Sequence, residues 1–200
     1  MQHLPEYFDD LAQRELLAKI RQALKSAPPF TPRMPRTGKP FSVTMSNCGS
    51  LGWLSDKERG YRYEPRHPVT GEPWPPMPQA LLDLWQEKAD YLDPPEACLV
   101  NLYGEGAKMG LHRDEDEADF AAPVISVSLG DSARFRIGGL ERKDRTASFD
   151  LASGDVLVLG GDTRLAYHGV DRIKAGTSDL LDDLPGVARI NLTLRRVTNP

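Results

Sequence analysis

The sequence predicts a mainly β fold with flanking helices (α+β): a double-stranded β-helix (jelly roll) with an N-terminal helical and lid extension. Three observations lead there. Upstream of Ala97, two segments carry the apolar spacing of amphipathic helices. Downstream, the chain divides into short segments rich in β-branched and aromatic residues, most of them separated by Gly- and Asp-containing turns. Those segments follow one another every 8–12 residues or so (about one strand plus one turn), the pattern of a sandwich or barrel.

The first helix is expected over Glu6 to Ser26, where Leu11, Leu16, Leu17, Ile20 and Leu24 form an apolar stripe. Pro28 and Pro29 lack the amide donor needed to continue it. The following PPFTPRMPRTGKP, rich in proline and cations, reads as an extended connector rather than a packed element. A second irregular stretch, Pro65 to Pro78, leads into PQALLDLWQEKADYL, where Leu81, Leu82, Leu84 and Trp85 support a helix closed by Pro94 and Pro95. Strands are then expected in ACLVNLY, KMGLHRD, PVISVSLG, SARFRIGG, TASFDL, GDVLVLGG, TRLAYHG and VARINLTLRRV.

A chain of 200 residues, 40% hydrophobic and 27% charged, fits one globular domain that needs neither disulfides nor a structural metal to fold. Its 25 Lys+Arg against 29 Asp+Glu leave a net charge of −4, which argues against a dedicated non-specific duplex binder. Cys48 and Cys98 are too few for a disulfide framework, so buried structural thiols in a reducing compartment are expected. MQHLPEYFDDLAQREL lacks the apolar region of a signal peptide, and no run approaches the roughly 18 apolar residues of a membrane span. A cytoplasmic protein with no membrane contact is therefore expected. Gly104 to Gly110 spaces its glycines wrongly for a dinucleotide loop, and Gly38-Lys39 is followed by Pro40 rather than by the hydroxyl residue of a phosphate loop. The stretch after Asp114 lacks the glycine of a calcium loop, and Ser128 lacks the preceding glycine of a nucleophile elbow.

Of four histidines, His112 lies in Leu111-His112-Arg113-Asp114. Residues two apart on a strand share a face, with Cα atoms about 6.5–7 Å apart, so this imidazole and carboxylate can share one ion. His168, at the end of the strand-like TRLAYHG, is available as a third ligand, and two His with one carboxylate form the facial triad of non-haem Fe(II) oxygenases. An H-x-D tripeptide also arises by chance, and a histidine at a strand end is commonly a solvated surface residue. In the last segment, alternation puts Arg189, Asn191, Thr193 and Arg195 on one face. Ile190, Leu192 and Leu194 fall on the other, expected to pack between sheets. Two arginines on one face of a central strand call for anions, and a guanidinium fork suits a carboxylate. An exposed edge strand with solvated arginines is the alternative. Asn101 and Tyr103, also two apart, offer neutral hydrogen bonds. Triad and clamp together describe a site for iron and a dicarboxylic keto acid.

The ordered combination of N-x-Y, H-x-D-x-D, a distant histidine and R-x-N-x-T-x-R resembles the AlkB family of Fe(II)/2-oxoglutarate-dependent nucleic-acid dealkylases. The likeness runs from about Val43 to Arg195 and includes MSNCGSLGWLSDKERGYRY and HPVTGEPWPPMPQALLDL. The resemblance implies that His112, Asp114 and His168 bind iron as the catalytic centre. It implies that Asn101, Tyr103, Arg189, Asn191 and Arg195 hold 2-oxoglutarate, Arg189 at the distal carboxylate and Arg195 near the chelating end. It further implies that Trp53 stacks on the damaged base opposite His112, that Asp116 faces the exocyclic amine, that Arg142 stands at the pocket mouth, and that Tyr61 is a lid residue on the phosphate backbone. Trp53 and Tyr61 are one residue further apart here than the family pattern has them, which leaves Tyr63 as the alternative to Tyr61.

In these terms the chain divides into residues 1–40, a helix and Pro-rich basic connector; 41–96, a nucleotide-recognition lid and supporting helix; and 97–200, the jelly-roll dioxygenase core. The implied reaction is oxidative demethylation of 1-methyladenine or 3-methylcytosine in DNA, preferably single-stranded, with RNA as a further substrate. It consumes O2, is coupled to decarboxylation of 2-oxoglutarate, and releases formaldehyde and succinate. That is direct-reversal DNA repair by a monomer. The alternatives are a 2-oxoglutarate oxygenase acting on RNA or protein, and a catalytically silent jelly-roll binding module. Residue chemistry supports the lid independently, because Trp53, Lys57, Arg59, Tyr61, Arg62, Tyr63, Arg66 and His67 interleave aromatics with cations. Base–aromatic stacking is worth about 1–3 kcal/mol per base, and the cations attract phosphates. A solvated polar loop whose aromatics pack locally is the competing reading.

Overall fold

A short strand, β1 (Gln2–Leu4), precedes helix α1 (Asp10–Ser26). The structure, a computed structural model, describes residues 1–199. Leu16, Leu17 and Ile20 bury the face of α1 that their spacing predicts, but the helix starts at Asp10 rather than Glu6. Asp9 caps it, its side chain accepting the Ala12 amide at 2.9 Å, and Leu11 is left exposed. The residues ahead of the cap pair with a strand instead, and His3 Nε2 reaches Asp155 Oδ2 at 2.8 Å.

Strand β2 (Val43–Gly49) leads into a hairpin of β3 (Gly52–Asp56) and β4 (Gly60–Glu64), followed by α2 (Gln79–Lys88), which ends well before the prolines expected to close it. The remaining strands are β5 (Ala97–Tyr103), β6 (Met109–His112), β7 (Val124–Gly130), β8 (Ser132–Ile137), β9 (Ala147–Leu151), β10 (Val156–Leu159), β11 (His168–Lys174) and β12 (Arg189–Arg195). They form a six-stranded sheet, β1-β10-β7-β12-β5-β2, and a four-stranded sheet, β6-β11-β8-β9, with all pairings antiparallel. Val124 and Leu157 of the first pack with Phe135, Ile137 and Leu151 of the second, which makes the expected jelly roll.

Three local expectations are corrected. Ile190, Leu192 and Leu194 do not pack between the sheets; they pack with Leu16, Leu17 and Ile20 of α1 and Leu81, Leu84 and Trp85 of α2. The helices cover the outside of the large sheet, so its polar face from Arg189 to Arg195 turns inward. Each Leu or Ile so buried contributes about 1.5–3 kcal/mol. TRLAYHG is not a strand ending at His168: a 3-10 turn spans Gly161–Thr163, and β11 begins at His168. The Pro-rich connector is extended but docked. Phe30 and Met45 exchange two backbone bonds of 2.8 Å, and Arg33 N donates to Ser55 O at 3.0 Å, because prolines keep their carbonyls and leave neighbouring amides free to pair.

Candidate metal centre and adjoining lid

Strands β6 and β11 run antiparallel with His112 directly opposite His168, ring centroids 4.5 Å apart. Gly169 permits this approach: a Cβ there would stand 2.6 Å from Met109 O. Asp114 follows two residues after the end of β6, its Oδ2 3.8 Å from His168 Nε2. One ligand atom from each of the three residues lies within 4.8 Å of the others. His112 Nδ1 is 2.9 Å from Gly110 O and His168 Nδ1 is 2.9 Å from Ala166 O, so each ring is oriented through its Nδ1 and leaves Nε2 for a metal. Burial, helped by His112, pushes the His168 pKa down to about 4 and keeps it neutral. Burial alone would raise Asp114, but Arg195, then His168 and His112, hold it well below the usual carboxylate range. Two neutral imidazoles and one ionised carboxylate fit a divalent iron.

Strand β12 lies between β7 and β5, which rules out the exposed-edge alternative for its arginines. Register sets Arg189 opposite Tyr103 and Asn191 opposite Asn101. Arg189 is 1% exposed and donates to Asp131 O at 3.0 Å, Leu151 O at 3.1 Å and Ser128 Oγ at 2.6 Å. No carboxylate pairs with it among the described residues, and burial lowers its pKa only to about 10, so it keeps its charge at neutral pH. At the other end of the face, Arg195 Nη2 bonds Asp114 Oδ1 at 2.7 Å. Asn101 Oδ1, Arg189 Nε and Arg195 Nε are buried without hydrogen-bond partners. A lone buried guanidinium and orphaned polar atoms leading toward the metal ligands are what a dicarboxylate satisfies. Asn191 is already engaged: its Nδ2 donates to Ser126 Oγ at 2.6 Å and its Oδ1 accepts from Thr193 Oγ1 at 2.9 Å.

In the β3–β4 hairpin the Trp53 and Tyr61 rings stack at 5.4 Å, and Phe41 meets Trp53 edge-on at 6.3 Å. Trp53 Nε1 donates to Asp116 Oδ2 at 2.8 Å. Desolvation, aided by Glu117 and Asp114, raises the Asp116 pKa against the lowering from Trp53. Tyr61 is 50% exposed, whereas Tyr63 turns inward and donates to Glu117, so the exposed position belongs to Tyr61. Arg142 and Arg113 hold their guanidiniums 5.7 Å and 5.5 Å from the ring of Tyr167, the neighbour of His168. Not every cation of the segment is free. Arg62 pairs with Asp56 at 2.6 Å, Arg59 pairs with Glu64 at 2.8 Å, and His67 is buried with Nε2 2.8 Å from Pro28 O.

Two residues went unnoticed in the sequence. Arg164, 2% exposed, donates to Glu117 Oε2 at 2.9 Å, Asp114 O at 2.7 Å and Ala122 O at 2.8 Å. Glu117 also accepts from Tyr63 and lies 3.5 Å from Arg195 Nε. One buried carboxylate thus joins the hairpin, the inward arginine and, through Arg164, the backbone of Asp114. Glu117 sits in the acidic run after His112, where a buried member can be suspected; nothing local marks Arg164.

Residues 1–195 match the model of the 2OG-Fe(II) oxygenase superfamily. The chain is 58% identical over 192 residues to the Alpha-ketoglutarate-dependent dioxygenase AlkB homolog of Caulobacter vibrioides, covering 96% of this chain and 85% of that protein. It is 44% identical over 189 residues to the Alpha-ketoglutarate-dependent dioxygenase AlkB of Escherichia coli (strain K12), covering 92% and 85%. Among solved structures, OsALKBH1 superposes with a TM-score of 0.76 at 32% identity, covering 98% of this chain and 97% of that one. The chain belongs to the 2OG-Fe(II) oxygenase superfamily and, within it, to the AlkB family.

Proposed function

We propose that this Fe(II)/2-oxoglutarate-dependent dioxygenase removes methyl groups from 1-methyladenine and 3-methylcytosine in single-stranded DNA, as a cytoplasmic monomer. Relatives named as a DNA N(6)-methyladenine demethylase of Arabidopsis thaliana and a tRNA demethylase of Schizosaccharomyces pombe support oxidative demethylation of an alkylated nucleic acid. The observation that carries the finer reading is the bond from Trp53 to Asp116. It sets a stacking face and an acceptor side by side, two residues from Asp114.

His112, Asp114 and His168 would hold the iron, which together with 2-oxoglutarate and O2 would supply the chemistry for oxidising the N-methyl group that is lost as formaldehyde. Arg189 grips the distal carboxylate of 2-oxoglutarate with its planar fork, and Asn101 and Tyr103 complete that pocket. Arg195 keeps Asp114 ionised and oriented. Trp53 stacks on a base that has left its strand, and Asp116 accepts from the exocyclic amine and offsets the positive charge of the methylated ring. Methylation of the pairing edge lowers the cost of extrusion, which favours the lesion over normal bases. Arg142, beside Tyr167, stands at the mouth of the pocket.

The test is kcat/KM for one 3-methylcytosine placed in single-stranded DNA, in the matching duplex and in RNA of the same sequence. The highest value is expected for single-stranded DNA. A clear preference for RNA would move the substrate class and keep the chemistry.

A further inference from the structure

We propose that Asp131 is a positioning residue of the 2-oxoglutarate pocket: it fixes which donors of the Arg189 guanidinium are turned to the far carboxylate. The inference rests on the reading of Arg189 as the carboxylate clamp and deepens it.

Asp131 is the single residue between β7 and β8, where the chain passes from the large sheet to the small one. It is 7% exposed, and backbone amides rather than a cation meet its charge. Gly176 N donates to Oδ2 at 3.2 Å, and Thr177 N and Ser178 N donate to Oδ1 at 2.8 Å and 3.0 Å. Those amides belong to the loop that leads from β11 to β12, and Arg189 is the first residue of β12. The amide of Asp131 donates to Ala188 O at 2.8 Å, and its carbonyl accepts from Arg189 Nη1 at 3.0 Å. One residue thus grips the loop ahead of Arg189, the backbone beside it and the guanidinium itself. The close approach depends on Gly130, at φ +87°, where a Cβ would stand 2.4 Å from Leu181 Cδ1 and 2.7 Å from Ala188 O.

A guanidinium carries five N–H donors. Nη1 of Arg189 directs both of its hydrogens at protein carbonyls, Asp131 O and Leu151 O. Nη2 gives one to Ser128 Oγ, and Nε has no partner. The donors left over are therefore Nε and one hydrogen of Nη2, two nitrogens on one carbon, which a carboxylate can take with both oxygens. Without the Asp131 carbonyl in place, an Nη1 hydrogen is left buried and unpaired, and the fork is no longer held in one orientation. The loss falls on the far carboxylate of the cosubstrate. Asp131 makes no bond to His112, Asp114 or His168, so the chelating end is untouched.

The test is calorimetric titration of the full chain, loaded with Mn(II) and free of O2 so that nothing turns over, with two keto acids. One is 2-oxoglutarate. The other is 2-oxopentanoate, which has the same chelating end and a methyl group in place of the far carboxylate. Wild type should bind 2-oxoglutarate the more tightly. Asp131→Ala should lose about tenfold or more in affinity for 2-oxoglutarate, the scale of one hydrogen bond to a charged group, and keep its affinity for 2-oxopentanoate and for Mn(II). Asp131→Asn keeps one oxygen for the amides of Thr177 and Ser178 and should lose less. An unchanged affinity for 2-oxoglutarate in Asp131→Ala, or an equal loss for both acids, overturns the positioning role and leaves the Arg189 clamp standing. Where Asp131→Ala does not fold, Asp131→Asn decides by the same comparison. A wild-type chain that binds the two acids equally overturns both the clamp and the role of Asp131.

Discussion

The indole of Trp53 and the carboxylate of Asp116 are joined by a 2.8 Å hydrogen bond, so the stacking face of the hairpin is held to the loop that carries Asp114. Tyr63 donates to Glu117 in a second, part-buried link between the same two segments. The hairpin is therefore not a free flap: its inner face is tied at two points, Asp116 and Glu117, to the loop that carries Asp114.

Replacing Trp53 separates its two contributions. Trp53→Ala loses both the ring and the bond to Asp116. At about 1–3 kcal/mol for base stacking, its apparent KM for methylated single-stranded DNA should rise roughly 5- to 150-fold. Trp53→Phe keeps a ring and should fall between wild type and alanine. Steady-state kinetics at low salt distinguish these, and an unchanged KM in Trp53→Ala would reduce Trp53 to local packing.

Asp114→Ala should abolish turnover with secondary structure retained, as read by circular dichroism, and should weaken Mn(II) binding in the absence of O2. It should also destabilise the chain by a few kcal/mol at most, about the lower end for a broken buried pair, because Arg195 loses its 2.7 Å partner but keeps Glu117 at 3.5 Å. Turnover near the wild-type rate at saturating iron would remove the ligand assignment.

Arg164 is the buried charge whose loss should be felt most widely. Arg164→Ala leaves Glu117 without its 2.9 Å partner and frees the carbonyl of Asp114, a loss expected to be about 3–5 kcal/mol in urea denaturation. Arg164→Lys keeps the charge but has no fork to reach three acceptors, so it should recover only part of the loss. Full recovery by lysine would show that charge alone matters here.

Cys48 and Cys98 face each other across β2 and β5, and neither is exposed. Burial pushes the Cys48 thiol up to about 12 and the Cys98 thiol well above the usual range, so both stay protonated through neutral and mildly alkaline pH. A thiol-reactive disulfide reagent at pH 8 should label neither in the native chain and both after denaturation. Prompt native labelling would mean that the β2 edge opens.

What the sequence disclosed was local or periodic. His112 and Asp114 stand two residues apart, and the alternation of β12 sorted Arg189 and Arg195 from Ile190, Leu192 and Leu194 without any structure. Which face met which layer was not legible, because alternation separates two faces but does not say whether a helix or a sheet covers each. β1 is three residues long and offers no period; its pairing depends on β10, more than 150 residues away. The start of β11 was misplaced because the β-branched and aromatic content of TRLAYHG outweighed Gly160 and Gly161, of which Gly161 takes φ +53°. Glu117 and Arg164 are 47 residues apart, and their pairing exists only once the sheets have closed.

Mass spectrometry of a single-stranded DNA oligonucleotide carrying one 3-methylcytosine tests the central assignment most directly. After incubation with the chain, Fe(II), 2-oxoglutarate, ascorbate and air, the oligonucleotide should have exchanged its methyl group for hydrogen. It should remain methylated when 2-oxoglutarate is omitted or Asp114→Ala is used. An oligonucleotide that keeps its methyl group, with protein shown to bind both metal and 2-oxoglutarate, would contradict DNA demethylation by this chain.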